Sequence, residues 1–150
     1  MKKILVTLVE AGMGHIVTAT AIANSIQKQK GDDVELVVKD LFHETEQLKK
    51  YEEFLISETK KASGDALHSR MQLLSMHILG AQNTLKIVHS TIYRKAVNRY
   101  VEQLRLIQPD VIVDTHYFTT YCSVLYRDKY NPACKVITYN PDNNVHGWWH

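Results

Sequence analysis

The chain has 150 residues and a mass of 17.3 kDa, room for one ordinary globular domain, and a 45% hydrophobic content that supplies a core and excludes a disordered chain. Its 18 basic residues against 16 acidic ones leave a formal charge of +2, too little to argue for nucleic acid, so any basic surface is local. Cys122 and Cys134 form neither a disulfide framework nor a CxxC pair, which favours a reduced setting, and no stretch approaches the roughly 20 apolar residues of a spanning helix.

From the N-terminus, the apolar run Ile4–Val9 is short and leads straight into a glycine-rich turn, which marks a buried strand rather than a signal peptide. Ile16, Ala19, Ile22 or Ala23, and Ile26 then fall on one face of a helix that Gly31 stops. Val34–Val38 is the second strand, so the first 38 residues form a β-α-β unit. Leu41–Asn83 reads as an unusually long helical insertion, with Gly64 and Gly80 as its breaks. Leu85, Val88, Ile92, Ala96, Tyr100, Leu104 and Ile107 recur at helical spacing, predicting one long amphipathic helix that ends before Pro109. Val111–Asp114 and Lys135–Tyr139 complete the strands. This alternation predicts an α/β fold, an open parallel sheet with the helical insertion after its second strand.

Ligands of open α/β sheets gather at the carboxyl ends of the strands, where the turn Glu10–His15 lies. Gly12 and Gly14 let backbone approach a ligand, and the helix that follows turns its free N–H groups toward an anion. A neutral imidazole at His15 accepts a proton from a hydroxyl, or its N–H holds an anion; equally, His15 merely caps its helix. Val17 stands where GxGxxG needs its third small residue, and no GK[ST] follows, so nicotinamide binding and nucleotide hydrolysis lose support. Asp114 and His116 follow the third strand, and Asp142 and His146 the fourth. These donors would suit zinc, but no ligand spacing accompanies them, and loop, cap and packing roles explain them, and Trp148 and Trp149, as well.

Taken together, "GMGHIVTATAIANSI", "PDVIVDTHYFTTY" and "DNNVHGWW" resemble the N-terminal domain of the monogalactosyldiacylglycerol synthase and processive diacylglycerol glucosyltransferase family, over essentially the whole chain. The resemblance implies a Rossmann-like N-terminal half of a GT-B architecture that binds the lipid acceptor. It further implies inverting transfer, without metal or cofactor, from a UDP-sugar held by a C-terminal domain to a lipid hydroxyl such as that of diacylglycerol, at the cytosolic face of a membrane. Gly12, Gly14 and His15 match the family's turn, making His15 the leading general base, and Met13 replaces a glycine common there. Asp142, His146 and Trp149 match a cleft segment, with Asp142 a second candidate for the base or for orienting it, although "YNPDNN" stands where the family usually has Thr-Asp. His116 joins them as a substrate-binding candidate.

The donor-binding domain is expected to lie outside residues 1–150, so these residues alone are expected to transfer nothing. In the family the helical insertion approaches the bilayer. Here Lys49, Lys50, Lys60, Lys61, Arg70, Lys86, Arg94, Lys95 and Arg99, interleaved with Tyr51, Phe54, Leu73, Leu74, Met76 and Ile78, suit an anionic membrane surface, though Glu44, Glu46, Glu52, Glu53 and Glu58 dilute the charge. Three alternatives stand beside this reading. They are a polyprenyl-linked acceptor, a non-catalytic phosphate- or lipid-binding module, and a metal-dependent hydrolase of Asp114, His116, Asp142 and His146.

Overall fold

The computed structural model describes residues 1–10, 13–64 and 81–141, with residues 70 and 74 between them. Strand β1 (Lys2–Thr7) leads through helix α1 (Met13–Lys30) and a 3-10 turn at Gly31–Asp33 into β2 (Val34–Lys39). A second 3-10 turn (Leu41–Glu44) precedes α2 (Glu46–Gly64), and after the insertion come α3 (Ala81–Ser90) and α4 (Arg94–Ile107). Then β3 (Val111–Asp114), α5 (Tyr117–Tyr130) and β4 (Lys135–Thr138) follow.

The four described strands make one all-parallel sheet in the order β2-β1-β3-β4. β1 is central: Lys2 to Thr7 pair with Val34 to Lys39 on one side, and Ile4 to Val6 pair with Val111 to Val113 on the other. The chain steps one way from β1 to β2 and the other way from β3 to β4. With right-handed crossovers, that reversal puts α1 and α5 on opposite faces. Strand alternation shows the two layers directly. Val6 and Val113 bury against Ala19 and Ala23 of α1, while Leu5 and Ile112 face Phe42, Tyr100, Leu104 and Phe118 from the insertion, α4 and α5. A parallel strand covered on both faces needs the continuous apolar run that β1 has.

The predicted strands all form, with β1 two residues earlier than expected because its pairing with β2 starts at Lys2; Val9 remains buried beyond its end. Helix α1 stops at Gly31, whose φ of 51° lies in the left-handed region that glycine tolerates. The single long helix predicted up to Pro109 is two. Its apolar spacing runs through, but the Thr91 and Ser90 hydroxyls donate to the Ile87 carbonyl at 2.6 and 3.1 Å, and Tyr93 N–H reaches back five residues to Val88 O at 3.0 Å. The four-residue ladder still holds at Thr91, whose N–H is on Ile87 O at 3.0 Å, and gives way at the five-residue step of Tyr93. Ile92, expected on the buried face, is 72% exposed. At its other end α4 closes as expected before Pro109, with Gln108 left-handed at φ 53° and its N–H on Leu104 O.

Thr45 caps α2 by accepting the Leu48 N–H at 3.2 Å, and the described residues of α2 run to Gly64. Tyr51, counted toward a membrane surface, is instead buried and stacks in the core on Phe42 and Phe118. Glu52, counted toward a solvated face, is 3% exposed. Both cysteines are buried and free. Gly80, Leu73, Met76 and Ile78 lie outside the described residues.

Candidate functional site

The reversal of chain direction opens a crevice between the carboxyl ends of β1 and β3, the place where doubly wound sheets bind ligands. From β1 comes the turn that starts α1, and from β3 comes Asp114-Thr115-His116, which starts α5. The two meet at His15, whose Nδ1 lies 2.7 Å from the Thr115 carbonyl. A carbonyl only accepts, so Nδ1 carries the proton and, in the neutral ring, Nε2 holds the lone pair. Half-buried in the first turn of α1, His15 thus has one nitrogen fixed by backbone and one left for chemistry.

His116 packs edge-on against His15, with ring centroids 5.1 Å apart. It is 5% exposed, and its Nδ1 accepts the Phe118 N–H at 3.2 Å, capping α5. Burial, with the charges of His15 and His89 acting the same way, lowers its pKa to about 3, so it stays neutral with the proton on Nε2. Its carbonyl accepts from the Thr119 and Thr120 hydroxyls at 2.8 and 3.2 Å. Asp114, fully buried beneath, accepts from the Thr7 hydroxyl at 2.9 Å. Burial pushes its carboxyl up to about 6, while the hydroxyls of Thr7, Ser123 and Thr119 hold it back. Asp114 and His116 therefore serve the end of β3 and the cap of α5, which removes half of the metal-hydrolase donor set.

Gly14 is exposed in the first turn of α1, and among the described residues a Cβ built on it meets nothing within 4 Å beyond its chain neighbours and its own helix backbone. The fold itself does not require a glycine there. No acidic side chain occupies the first turn of α1, so its N–H groups keep their attraction for an anion. Met13 opens the helix beside it. Of the sequence-predicted residues, Met13, Gly14, His15 and His116 come together; Gly12, Asp142, His146 and Trp149 lie outside the described residues.

One group escaped sequence reasoning. Glu10 leaves β1, Asp40 leaves β2, His43 sits in the following turn, and Glu52 arrives from α2. Glu52 accepts the Glu10 N–H at 3.0 Å with one oxygen and meets His43 Nε2 at 3.1 Å with the other. Burial pushes Asp40 up to about 6; the Phe42 N–H pulls it back, the Glu52 charge adds to the rise, His43 opposes it and Glu10 adds again. The available signal was positional: Glu10 and Asp40 close adjacent strands and so share the sheet's carboxyl edge.

Among the described residues no helix is long and apolar enough to cross a membrane. No curated protein and no solved structure matches the chain at a significant level. The family model described as monogalactosyldiacylglycerol (MGDG) synthase matches residues 15–150, so the chain belongs to that family, one of glycosyltransferases that act on lipid.

Proposed function

We propose that this chain is the acceptor-side domain of an inverting transferase that moves a sugar from a UDP-sugar to the hydroxyl of a membrane lipid such as diacylglycerol, with His15 as general base. In that reaction His15 Nε2 takes the acceptor proton, the hydroxyl oxygen attacks the anomeric carbon, and the UDP leaves with the bonding electrons. The observation that carries the reading is the hydrogen bond from His15 Nδ1 to Thr115 O, which gives a neutral ring the tautomer that a base needs, at the switch point of the sheet. The N-terminal turn of α1, bare of acidic groups, adds an electropositive wall for the diphosphate. To Gly12, Met13 and Gly14 we assign the diphosphate, to Asp142 the orienting of the base, and to His116, His146 and Trp149 the binding of the acceptor. The sugar donor is held by a C-terminal donor domain, and the acceptor side transfers nothing without it.

The lipid is met from the cytosolic surface of an anionic membrane. Phe54, Ile87 and Ile92 are 42%, 56% and 72% exposed, and Phe54 touches Tyr93 at the α3–α4 junction. Lys50, Lys86, Arg94 and Lys95 are exposed on the same elements. Apolar side chains interleaved with cations favour an anionic bilayer, each cation contributing on the order of 1 kcal/mol.

The test joins this chain to a donor domain of the same family in one polypeptide and measures transfer from labelled UDP-sugars to lipids in vesicles. Transfer to diacylglycerol that falls at least about a hundredfold in His15→Ala is expected, the usual span for a lost general base. Transfer only to polyprenyl-linked acceptors would reassign the lipid. Unchanged transfer in His15→Ala would leave the histidine a cap and the domain a binding module.

A further inference from the structure

One strand away from His15, the carboxyl edge of the sheet carries the Glu10, Asp40, His43 and Glu52 group, which sugar transfer does not use. A ligand atom from each of Glu10, Asp40 and His43 lies within 4.8 Å of the others. His43 Nε2 is 4.0 Å from Glu10 Oε2 and 3.1 Å from Glu52 Oε2. Asp40 Oδ1 is committed to the Phe42 N–H at 2.8 Å, but its Oδ2 is buried and has no hydrogen-bond partner. Three carboxylates thus face one imidazole. Among the described residues no lysine or arginine pairs with Glu10, Asp40 or Glu52, since the neighbouring Lys39 is engaged by Glu44 at 2.9 Å.

Such a group has no lysine or arginine to balance it among the described residues, and its spacing is that of ligands around an ion. Metal–ligand bonds of about 2.0–2.4 Å keep donors on one ion within about 4.8 Å of each other. We propose that Glu10, Asp40 and His43, backed by Glu52, form a binding site for one divalent transition cation, Mn2+ or Zn2+. The imidazole decides the class, because Ca2+ and Mg2+ select all-oxygen cages whereas mixed carboxylate and imidazole donors suit Mn2+ and Zn2+. The side chains of His43 and Glu10 are 45% and 57% exposed, so an ion enters from solvent. Glu52 stands behind the trio, holding the Glu10 backbone and the Nε2 side of the His43 ring, so that Nδ1 is the ring nitrogen left for the ion, the arrangement of outer carboxylates at metal centres. The ion joins the end of β2 to the residue that opens the glycine-histidine turn, and its role is structural.

Calorimetric titration of the EDTA-treated protein with Mn2+ and with Zn2+, together with thermal melts, tests this without any measurement of transfer. Saturation at one ion per chain and a melting temperature that rises with the ion and falls back with EDTA are expected. Asp40→Asn, which keeps the acceptor for Phe42 N–H, and His43→Ala should each weaken binding at least tenfold, while Glu44→Gln, in the same turn but paired with Lys39, should not. Circular dichroism establishes that each variant is folded. No saturable binding, equal affinity in Asp40→Asn and His43→Ala, or tighter binding of Mg2+ or Ca2+ would overturn the assignment. Loss of transfer in His15→Ala with intact metal binding would leave the two sites separable.

Discussion

Gly14 and Asp114 turn the geometry of the crevice into measurements. Among the described residues a Cβ at Gly14 finds nothing within 4 Å outside its own turn of helix, and alanine is favoured over glycine inside a helix by up to about 1 kcal/mol. Gly14→Ala should therefore raise the unfolding free energy by about 0.5–1 kcal/mol in urea melts while lowering transfer by the donor-fused protein at least tenfold, because the added methyl fills space meant for the ligand. A drop in stability would mean that the glycine serves the fold. Asp114 is held to about 6 against 3.8 for a free side chain. The folded state thus binds that proton more tightly than the unfolded one. Its stabilisation is complete below about pH 3.8 and is lost as pH rises through about 6, where the ionised carboxylate costs about 3 kcal/mol. Asp114→Asn cannot ionise and still accepts from Thr7. Urea melts at several pH values should show it more stable than the parent at pH 7 by up to about 3 kcal/mol, with the advantage vanishing toward pH 4. Reading the variant against its parent removes the opposite trend of His116, which loses stability as pH falls toward about 3.

At the level of elements, the four strands and α1 were legible because burial on both faces of a parallel sheet writes a Val- and Ile-rich run, and burial of one helix face writes a 3.6-residue period. The α3–α4 break was not. Periodicity registers apolar positions, and the break is a change of backbone partner, Tyr93 N–H reaching Val88 O five residues back. The end of α4 offers a test of local geometry. Gln108 adopts φ 53°, which costs an L side chain roughly 1 kcal/mol, and it is exposed. Gln108→Gly should stabilise the protein by about 0.5–1 kcal/mol in thermal melts, and destabilisation would indicate that the left-handed cap is not strained.

For the molecule as a whole, the sequence revealed the architecture and the place of His15 at the start of α1, since both follow from order along the chain. What it hid were contacts made across the chain. The Thr115 carbonyl that fixes His15 is 100 residues away, and the Glu52 carboxylate that holds Glu10 is 42 away. Backbone groups and helix faces carry no type-specific mark that would pair them in advance. The same distance shapes how the protein is made. β1 finds β2 soon after both leave the ribosome, but its other side waits for Val111 to Val113. At about 5–20 residues per second, the wait is on the order of 5–20 seconds. Throughout it the central strand is an open edge of leucine and valine, so every nascent copy passes through an interval when a neighbouring chain can take the place of β3.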